Sequence, residues 1–399
     1  MDIVIVAQYM RDIEDFSGVN SRFLYLARML EKNHEVEIIT SRFIHRLKRH
    51  AKKIGTVGNI NITAVDEPGY PRNICLKRFS SHKALARNVY CYLSNRKKPD
   101  AVYVAVPSLA VAQAVSKYCK KNNIRLIVDI QDLWPEAFKM VVNIPVLSDI
   151  IFKPMELQAD RIYSQADEIV AVSETYANRG MKKNKKCKKP LTVFLGTEMS
   201  AFDECAKNAE RTDDMVKIAY IGTLGNSYDI KCIIDAIKML PKRGLVHFVI
   251  MGDGDLKKSF ENYAECSGIS YTFTGALPYP EMVKILASCH IAVNPIRKGS
   301  AGSIINKVGD YAMAGLPVIN TQECIEYRTL LENYNAGINC ECGNADEVSK
   351  AIKNLIDNPA LRKEMSENSR RLGKELFDRE ETYRKIVRLV EDEGIGSKS

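Results

Sequence analysis

Short apolar runs, separated by longer stretches of helical periodicity, recur along the whole chain. Most runs are nearly continuous in Val, Ile and Leu rather than alternating, which is typical of parallel strands buried on both faces. In the first half the predicted strands are Asp2–Ala7, Glu35–Thr40, Ile60–Val65, Asp100–Val106, Arg125–Ile130, Glu168–Val172 and Leu191–Leu195. In the second half they are Val216–Ile221, Val246–Met251, Ser270–Thr274, Ile291–Asn294, Pro317–Asn320 and Gly337–Asn339. The pattern predicts an α/β protein of two doubly wound, Rossmann-like domains facing an interdomain cleft.

After the last strand of the first half, a polar stretch without a predicted strand runs to Met215 and separates the two halves. We place the N-terminal domain at residues 1–198 and the C-terminal domain at residues 199–375. The final stretch predicts an amphipathic helix at residues 376–393, and we expect it to pack back on the N-terminal domain. Its apolar face carries Phe377, Tyr383, Ile386, Val387 and Val390.

The composition fits a two-domain protein of a reducing compartment. The chain has 399 residues, of which 46% are hydrophobic, enough for two full cores. No apolar run approaches the length of a membrane span, and the first strand begins directly after Met1, so we expect no signal peptide. The eleven cysteines form no CxxC motif. Cys340 and Cys342 form only a CxC pair, and no histidine stands near them at the spacing of a zinc site. We therefore predict no metal site.

The positive charge is concentrated in the first half of the chain. Residues 1–199 hold 32 Lys and Arg against 20 Asp and Glu, whereas residues 200–399 hold 26 against 29. Two basic runs, Arg42–Lys53 and Lys182–Lys189, are either solvated surface or a contact with an anionic membrane. The first run contains Phe43, Ile44 and Leu47, which favours the membrane. Nucleic acid is not an expected partner, because no nucleic-acid-binding motif is present. We expect a cytoplasmic protein associated peripherally with the inner face of the cell membrane.

The stretch from His290 to Gln322 is predicted to contain the functional site. It reads as a strand, a basic loop Pro295–Gly302, a helix Asn306–Ala314 and a further strand. Ser303 or Asn306 is the expected N-cap, which places Lys307 in the first turn of the helix. Free N–H groups, the helix dipole and this lysine together predict an anion site. The alternative is an ordinary αβ unit whose exposed charges bind no ligand.

Polar groups on either side of Lys307 extend this anion site. Arg297 precedes it in the basic loop, and Asp310 follows it one helical turn later. Asp310 is placed to accept hydrogen bonds from sugar hydroxyls beside a bound phosphate. A phosphate next to a polyol indicates a nucleotide or a nucleotide-sugar.

The ends of other predicted strands carry further candidates. Gly18 follows the first strand and permits close backbone approach, with Asn20 or Ser21 as a helix cap. Asp132, Trp134 and Glu136 follow the fifth strand. They either form a sugar-binding set or are ordinary residues of the hydrophobic core and a turn. In the second half three consecutive strands end in glycine, where backbone N–H groups can reach a phosphate. These glycines are Gly222, Gly252 and Gly275.

In this order the elements resemble a GT-B glycosyltransferase of the retaining family-4 type. The most specific part is the block D-Y-A-M-A-G-L-P-V-I from Asp310 to Ile319, which is similar to the family's E-x7-E region. The resemblance makes Asp310 the second acid, which binds the ribose of the donor nucleotide. It is closest to enzymes that assemble bacterial capsule or O-antigen repeats on a lipid carrier.

The resemblance implies a metal-independent hexosyltransferase without a cofactor. It would transfer a sugar, with an N-acetylated hexosamine as one candidate, from a UDP-sugar to a polyprenyl-diphosphate-linked saccharide with retention. Residues 1–198 would bind the acceptor and residues 199–375 the donor. Our candidate catalytic residues are Asp132, Lys307 and Asp310. The implied donor-binding residues are Gly222, Thr223, Leu224, Asn226, Gly252, Gly275, Leu277, Arg297, Ser303, Ile304, Asn306, Lys307 and Asp310, and the acceptor or phosphate loop is Gly18, Asn20, Trp134 and Glu136.

Several positions depart from the family pattern. Gly302 falls where the first acid of E-x7-E would be, and Gln131 where a histidine is often found. The Arg and Lys that usually hold the diphosphate fall on Thr223 and Tyr228. We expect Lys307 to supply the missing cation, because a diphosphate without a cationic partner would bind poorly.

The sequence alone is compatible with other functions. A nucleotide-sugar epimerase of the same fold, or a non-catalytic sugar-nucleotide-binding protein, would need the same donor residues. The Asp253-Gly-Asp255 triplet resembles the metal motif of the other large glycosyltransferase fold, but two complete α/β units disfavour that fold. A dehydrogenase is disfavoured because no GxGxxG follows any predicted strand.

Overall fold

The structure is a computed structural model. It describes residues 1–10, 13–16, 21–73, 75–141, 147–212, 214–241, 243–300 and 303–392. The chain divides into two compact units. The first runs from Met1 to Val193 and resumes at Tyr383, and the second runs from Phe194 to Thr382.

The first unit is built on a parallel sheet of seven strands in the order β5-β2-β1-β6-β7-β8-β9. Its strands are β1 (Asp2–Val6), β2 (Glu35–Ser41), β3 (Phe43–Ile44), β4 (Arg49–His50), β5 (Asn61–Val65), β6 (Ala101–Val106), β7 (Arg125–Ile130), β8 (Glu168–Ala171) and β9 (Leu191–Thr192). Its helices are α1 (Arg22–Leu30), α2 (Leu76–Asn95), α3 (Leu109–Asn122), α4 (Glu136–Val141), α5 (Leu147–Gln165) and α6 (Glu174–Met181). The short strands β3 and β4 pair with each other as an antiparallel hairpin.

The second unit has a parallel sheet of six strands in the order β12-β11-β10-β13-β14-β15. Its strands are β10 (Val216–Ile221), β11 (Val246–Met251), β12 (Ser270–Gly275), β13 (Ile291–Asn294), β14 (Val318–Asn320) and β15 (Gly337–Asn339). Its helices are α7 (Met199–Ala206), α8 (Ile230–Lys238), α9 (Lys257–Ser267), α10 (Tyr279–Ala287), α11 (Lys307–Met313), α12 (Ile325–Tyr334), α13 (Ala345–Asp357) and α14 (Pro359–Leu372). A 3-10 turn spans Arg243–Leu245, a π-helical turn spans Gly373–Phe377, and α15 (Arg379–Glu391) ends the described chain.

The predicted strands and the doubly wound α/β class are confirmed. Continuous apolar runs such as β1 and β10 lie in the middle of their sheets, where both faces are buried. The helices α6, α8 and α13 each begin where a polar side chain accepts a hydrogen bond from an N–H group of the first turn. For example, Asp229 caps α8 by accepting a hydrogen bond from the N–H of Cys232 at 3.3 Å. Local polarity thus sets where these elements start.

Two local predictions were wrong, and a third was incomplete. The stretch predicted as a strand-free linker has no strand among its described residues, but it contains α7, whose Phe202 is buried in the core of the second unit. The final helix begins only at Arg379, and Phe377 packs in the second unit within the π-helical turn. In the basic run Arg42–Lys53, Phe43 and Ile44 are buried by the β3–β4 hairpin, so Leu47 is the exposed member of the three apolar residues.

From Tyr383 onwards, α15 packs in the core of the first unit. Tyr383, Ile386 and Val390 belong to the same buried cluster as the β1 residues Ile3 and Ile5. The spacing of these three helix residues puts them on one face, which explains why that face is buried.

Candidate functional site

The predicted donor residues gather at one edge of the second sheet. Gly222 and Gly252 directly follow β10 and β11, and Gly275 ends β12. These three strands are neighbours, and β13, which leads into the basic loop, lies on the other side of β10. The chain order reverses between β10 and β13, and ligands of open α/β sheets bind at such a switch point.

The glycines at these strand ends pack backbone against backbone. The Gly222 N–H donates to the Met251 carbonyl at 2.9 Å, and the Gly252 N–H donates to the Gly275 carbonyl at 2.9 Å. A Cβ on Gly252 would lie 1.8 Å from the Gly222 oxygen, so only glycine fits there. The expectation that these N–H groups reach a phosphate is therefore wrong for Gly222 and Gly252, since the sheet already uses both.

Lys307 lies between two tyrosine rings at the start of α11. Its Nζ atom is 4.0 Å from the ring centroid of Tyr220 and 4.2 Å from that of Tyr228. A Cβ on Gly222 would lie 3.6 Å from the same nitrogen, which puts the ammonium against the end of β10. Nζ is buried and has no hydrogen-bond partner among the described residues. Burial lowers the pKa of Lys307 well below its ordinary value.

This arrangement leaves the buried Lys307 side chain without a counter-charge in the part of the chain that the structure describes. Buried charges in proteins are normally paired, because desolvation of a lone ammonium is costly. Cation–π contacts with two rings offset part of that cost. Burial raises the pKa of Tyr220 and of Tyr228, so both phenols stay neutral and provide no counter-charge. The unsatisfied ammonium is therefore suited to an anionic ligand at the end of β10.

Asp310 lies one turn further along α11. Its Oδ1 accepts hydrogen bonds from Thr197 Oγ1 at 3.0 Å and from Tyr279 Oη at 2.9 Å. Burial raises the pKa of the Asp310 carboxyl, and the two hydrogen bonds oppose that rise. Both donors bond the same oxygen, which orients the carboxylate and leaves Oδ2 for a ligand hydroxyl.

The loop before α11 is held against the loop that follows β10. The Arg297 N–H donates to the Ser227 carbonyl at 3.0 Å, and its guanidinium lies 4.0 Å from Asp229 Oδ1. Asn306 precedes α11 with a helical backbone, and its side chain forms no capping hydrogen bond. The Ser303 carbonyl accepts from Gln322 Nε2 at 2.7 Å. The predicted cap by Asn306 is therefore wrong, and Lys307 provides the charge at this helix end.

The remaining donor candidates differ in how accessible they are. Leu224 is buried in the core, and its N–H donates to the Asp253 carbonyl at 2.9 Å. The Thr223 carbonyl accepts from Tyr220 Oη at 2.7 Å, which fixes one ring of the tyrosine pair. Partly buried or exposed side chains in this region are those of Asn226, Leu277, Ile304 and Asn306.

The candidates of the first unit are largely engaged in packing. Trp134 is only 6% exposed and belongs to the hydrophobic core. Glu136 pairs with Arg179 at 2.5 Å. Asp132 Oδ1 accepts from the Leu133 N–H at 2.9 Å, and burial raises the pKa of its carboxyl. Gly18, Asn20 and Gly302 lie outside the described residues.

The sequence interpretation missed four residues that shape the site. Tyr220 and Tyr228 enclose Lys307, and Thr197 and Tyr279 orient Asp310. One signal was available: Tyr228 occupies a position where the resembled family has a cation. Thr197 lies far from Asp310 in the chain, so no local pattern could connect the two.

Within the described ranges the chain has neither a metal-binding cluster nor a membrane-spanning helix. No group of three or more His, Cys, Asp or Glu there is arranged to hold a metal ion. No helix in that part of the chain combines the length and apolar character needed to cross a bilayer.

Both halves of the chain match glycosyltransferase families. Residues 16–193 match the model of Glycosyltransferase Family 4, and residues 202–372 match that of Glycosyl transferases group 1. A crystal structure from Anabaena, HepE in complex with UDP, superposes with a TM-score of 0.68 over 98% of this chain and 100% of that chain, at 13% identity. The chain has the GT-B fold of the group 1 and family 4 glycosyltransferases.

Other relatives of this GT-B chain are distant. An uncharacterized glycosyltransferase of Methanocaldococcus jannaschii, MJ1069, is 24% identical over 58% of this chain, and the match spans 59% of the length of that relative. The structure of WaaG, a glycosyltransferase involved in lipopolysaccharide biosynthesis, superposes with a TM-score of 0.64 at 14% identity, covering 97% of this chain and 99% of that chain. At such identities the solved structures show the fold alone.

The hydrogen bond from Tyr279 to Asp310 leads to a testable prediction for this GT-B site. Replacing Tyr279 with Phe removes one donor that lowers the pKa of Asp310. The carboxyl then protonates at a higher pH, so nucleotide affinity should begin to fall at a higher pH as the solution is acidified. At neutral pH we expect a loss of roughly two- to tenfold, the net value of one hydrogen bond.

Calorimetric titration with UDP from about pH 5 to about pH 8 would measure this shift. Tyr334→Phe is the matched control, because Tyr334 donates to Glu375 at 2.6 Å on the exposed surface of the same unit. An identical pH profile in Tyr279→Phe and the control would show that Tyr279 does not orient Asp310.

Proposed function

We propose that the protein is a retaining glycosyltransferase that moves a sugar from a UDP-sugar to a polyprenyl-diphosphate-linked saccharide. The observation that carries this proposal is the buried ammonium of Lys307, which has no partner among the described residues and lies against the end of β10. The diphosphate of a nucleoside diphosphate would pair with that charge. Asp310, one turn further along α11, would accept hydrogen bonds from the ribose hydroxyls. The fold and the matches to both families support transfer chemistry.

The position of Lys307 supports its role as the substitute cation. Its Nζ lies 4.2 Å from the ring of Tyr228, the residue that stands where the resembled family has a diphosphate-binding lysine. A cation delivered from α11 can thus act in the same region as the missing one. Arg297, in the neighbouring loop, is the second candidate for contact with the diphosphate.

The proposed reaction breaks the bond between the sugar's anomeric carbon and the diphosphate oxygen, and forms a bond from that carbon to the acceptor hydroxyl oxygen. The acceptor proton passes to the leaving diphosphate, so no enzyme carboxylate forms a covalent intermediate. Lys307 stabilises the charge that develops on the leaving group, because a preorganised cation acts most strongly in a dry site. Asp132 is proposed to contact the acceptor hydroxyl or to orient the sugar.

The choice of UDP and of an envelope polysaccharide pathway is supported by two structural relatives. HepE was crystallised with UDP, and WaaG takes part in lipopolysaccharide biosynthesis. We therefore propose a role in capsule or O-antigen assembly, with a hexose or an N-acetylated hexosamine as the donor sugar.

Peripheral contact with an anionic membrane through Arg42–Lys53 and Lys182–Lys189 is part of the same proposal. The structure reduces the expected apolar part of this contact, because Leu47 is the exposed apolar side chain of the first run while Phe43 and Ile44 are buried. Its charge then has to provide most of the attraction. Sedimentation with anionic liposomes should weaken as salt is raised, and salt-independent sedimentation would contradict this contact.

Thermal shift measurements with UDP, GDP, ADP and NAD test the proposed donor site first. We expect stabilisation by UDP that is lost in Asp310→Asn. Stabilisation by NAD alone, or by none of the four, would overturn the proposal. Product analysis with UDP-sugars then separates transfer from epimerisation, because an epimerase converts the donor without any acceptor and a non-catalytic binding protein leaves it unchanged.

A further inference from the structure

A second polar cluster lies in the first unit, at the edge where β1, β2 and β5 end. Tyr9 follows β1, His45 and Lys48 lie in the loop of the β3–β4 hairpin, and Tyr70 follows β5. The first turns of α2 add Arg78 and His82, which contact the same tyrosines. None of these six residues belongs to the site in the second unit.

The two cations of this cluster have no counter-charge among the described residues. Neither Lys48 nor Arg78 forms an ion pair with any carboxylate in the described part of the chain. Lys48 Nζ donates to Asn73 Oδ1 at 2.5 Å, and Arg78 donates to the Asn73 carbonyl at 2.8 Å and to Tyr9 Oη at 3.1 Å. Arg78 Nε is buried without a hydrogen-bond partner. Burial, and after it the charge of Arg78, lowers the pKa of Lys48, so the two cations repel each other.

Glu67, a buried carboxylate that interacts with Tyr9 and Tyr70 of this cluster, already has several hydrogen-bond donors. Glu67 is 2% exposed and accepts hydrogen bonds from Ser41 Oγ at 2.5 Å, Ser81 Oγ at 2.8 Å and Gln8 Nε2 at 3.2 Å. Its oxygens hold together the ends of three chain segments. It therefore stabilises the fold and does not pair with Lys48 or Arg78.

Two histidines lie beside these cations and supply no negative charge. His45 Nδ1 lies 2.6 Å from Tyr70 Oη, and His82 Nε2 lies 3.2 Å from Tyr9 Oη. Burial and the nearby cations lower the pKa of His45 to about 4 and that of His82 to about 3. Both rings are neutral near pH 7, since further positive charge is unfavourable at this point.

The walls of the cluster are aromatic and lead to an apolar cavity. The Arg78 guanidinium lies 4.7 Å from the Trp134 ring centroid and 5.6 Å from that of Tyr70. Trp134 and His82 also line a cavity of about 380 Å³ beside α2 and α3. Its other walls include the apolar side chains of Leu109, Ala110 and Met155 and the cations Lys83, Arg87 and Lys117.

We propose that Lys48 and Arg78 form a phosphate-binding site that takes the phosphate or diphosphate of an amphiphilic ligand, with the hydrocarbon chain of that ligand in the adjoining cavity. Within the described ranges neither cation forms an ion pair and Arg78 Nε has no hydrogen-bond partner, so the cluster supplies the charge and donors that such a group requires. An apolar cavity next to this cationic cluster distinguishes a lipid phosphate from a free one. The identification of this ligand as the acceptor rests on the proposed function, whereas the phosphate site itself does not.

Isothermal titration of UDP-saturated protein with inorganic pyrophosphate and with farnesyl diphosphate tests this site. UDP occupies the proposed donor site, so binding of either probe reports on the first unit. We expect both probes to bind, farnesyl diphosphate more tightly, and Arg78→Gln and Lys48→Met each to weaken binding roughly tenfold or more. Lys32→Gln, which removes an exposed cation of the same unit outside the cluster, is the matched control.

A bulkier side chain in the cavity separates the two parts of the ligand. Ala110→Phe should weaken farnesyl diphosphate and leave pyrophosphate unchanged, with circular dichroism checking that the variant is folded. Equal affinity for both probes in the wild type would overturn the cavity assignment.

The titration also distinguishes this proposal from the donor-site proposal. If UDP does not bind, the same probes are titrated into Lys307→Met, and binding that still depends on Arg78 supports the site in the first unit. Binding that is lost in Lys307→Met and unchanged in Arg78→Gln would place the probes at the second unit and overturn the inference.

Discussion

Replacing Lys307 with methionine is expected to lower turnover roughly a hundredfold, the scale of losing one preorganised charge donor. UDP should no longer stabilise the variant. The free variant should nevertheless be more stable than the wild type, by about 1–3 kcal/mol, because an unpaired buried donor is replaced with an apolar side chain of similar length. A loss of function that accompanies a gain in stability is the signature of a charge held for a ligand.

The pH dependence of UDP binding follows from the same lysine. The pKa of Lys307 is lowered in the free protein, and a bound diphosphate would raise it again. Binding therefore takes up a proton wherever Lys307 is neutral in the free protein, and affinity falls as the pH rises through the free-protein pKa. Calorimetry in buffers of different ionisation enthalpy measures this uptake, which should vanish in Lys307→Met.

Lys298→Met is the matched control for both measurements. Lys298 is an exposed lysine of the loop before α11. Its removal should leave turnover, stability and proton uptake nearly unchanged. Wild-type turnover in Lys307→Met, or the same small loss in both variants, would contradict the assignment of Lys307.

The second large effect is expected at a buried ion pair in the first unit. Arg22 Nε donates to Asp129 Oδ2 at 2.7 Å, and both side chains are almost completely buried. Tyr103 Oη also donates to Asp129 Oδ2, at 2.9 Å, and Arg22 donates to the Val193 carbonyl at 2.9 Å. The guanidinium lies 5.1 Å from the ring centroid of Tyr383 on α15. The pair thus connects α1, the central sheet and the last helix.

We expect Asp129→Asn to destabilise the first unit by about 3–5 kcal/mol, because the Arg22 guanidinium is left buried without its counter-charge. Urea unfolding followed by tryptophan fluorescence measures this directly, since Trp134 is the single tryptophan and lies in the core of this unit. The double variant Arg22→Met with Asp129→Leu should recover much of the loss, because both charges are then removed.

Arg42→Gln provides the comparison for an exposed pair. Arg42 Nε lies 3.3 Å from Asp66 Oδ1, and both side chains are largely exposed. Breaking such a pair should change the free energy of unfolding by less than about 1 kcal/mol. If Asp129→Asn changes the urea midpoint no more than Arg42→Gln does, the buried pair is not a major source of stability.

The alternation of apolar runs and helical periods was sufficient to predict most of the architecture. Every predicted strand is present, with ends that differ from prediction by a few residues at most. Parallel strands buried on both faces leave a strong local signal, since almost every residue in them is apolar. The elements that were missed are those with weak local signals: the two-residue strands β3 and β4, the short helix α7 and the π-helical turn.

The candidate site was predictable only in part. Glycines at strand ends were recognisable from their positions, but tertiary packing decided what their N–H groups bond, and Gly222 and Gly252 bond the sheet. Lys307 and Asp310 were predicted one turn apart because helical spacing is local. The hydrogen bonds that orient Asp310 come from Thr197 and Tyr279, at sequence separations of 113 and 31 residues, and no local pattern reports contacts of that range.

The sequence by itself determined the class of the fold, the order of its strands along the chain and the presence of a lysine at the start of α11. These are local properties, set by hydrophobic period and by charge at a helix end. Tertiary structure alone decided that Tyr220 and Tyr228 would enclose that lysine and leave it without a partner among the described residues. It likewise brought Arg22 to Asp129 across 107 residues. Burial and pairing depend on which distant segments meet, and that is decided only when the sheets assemble.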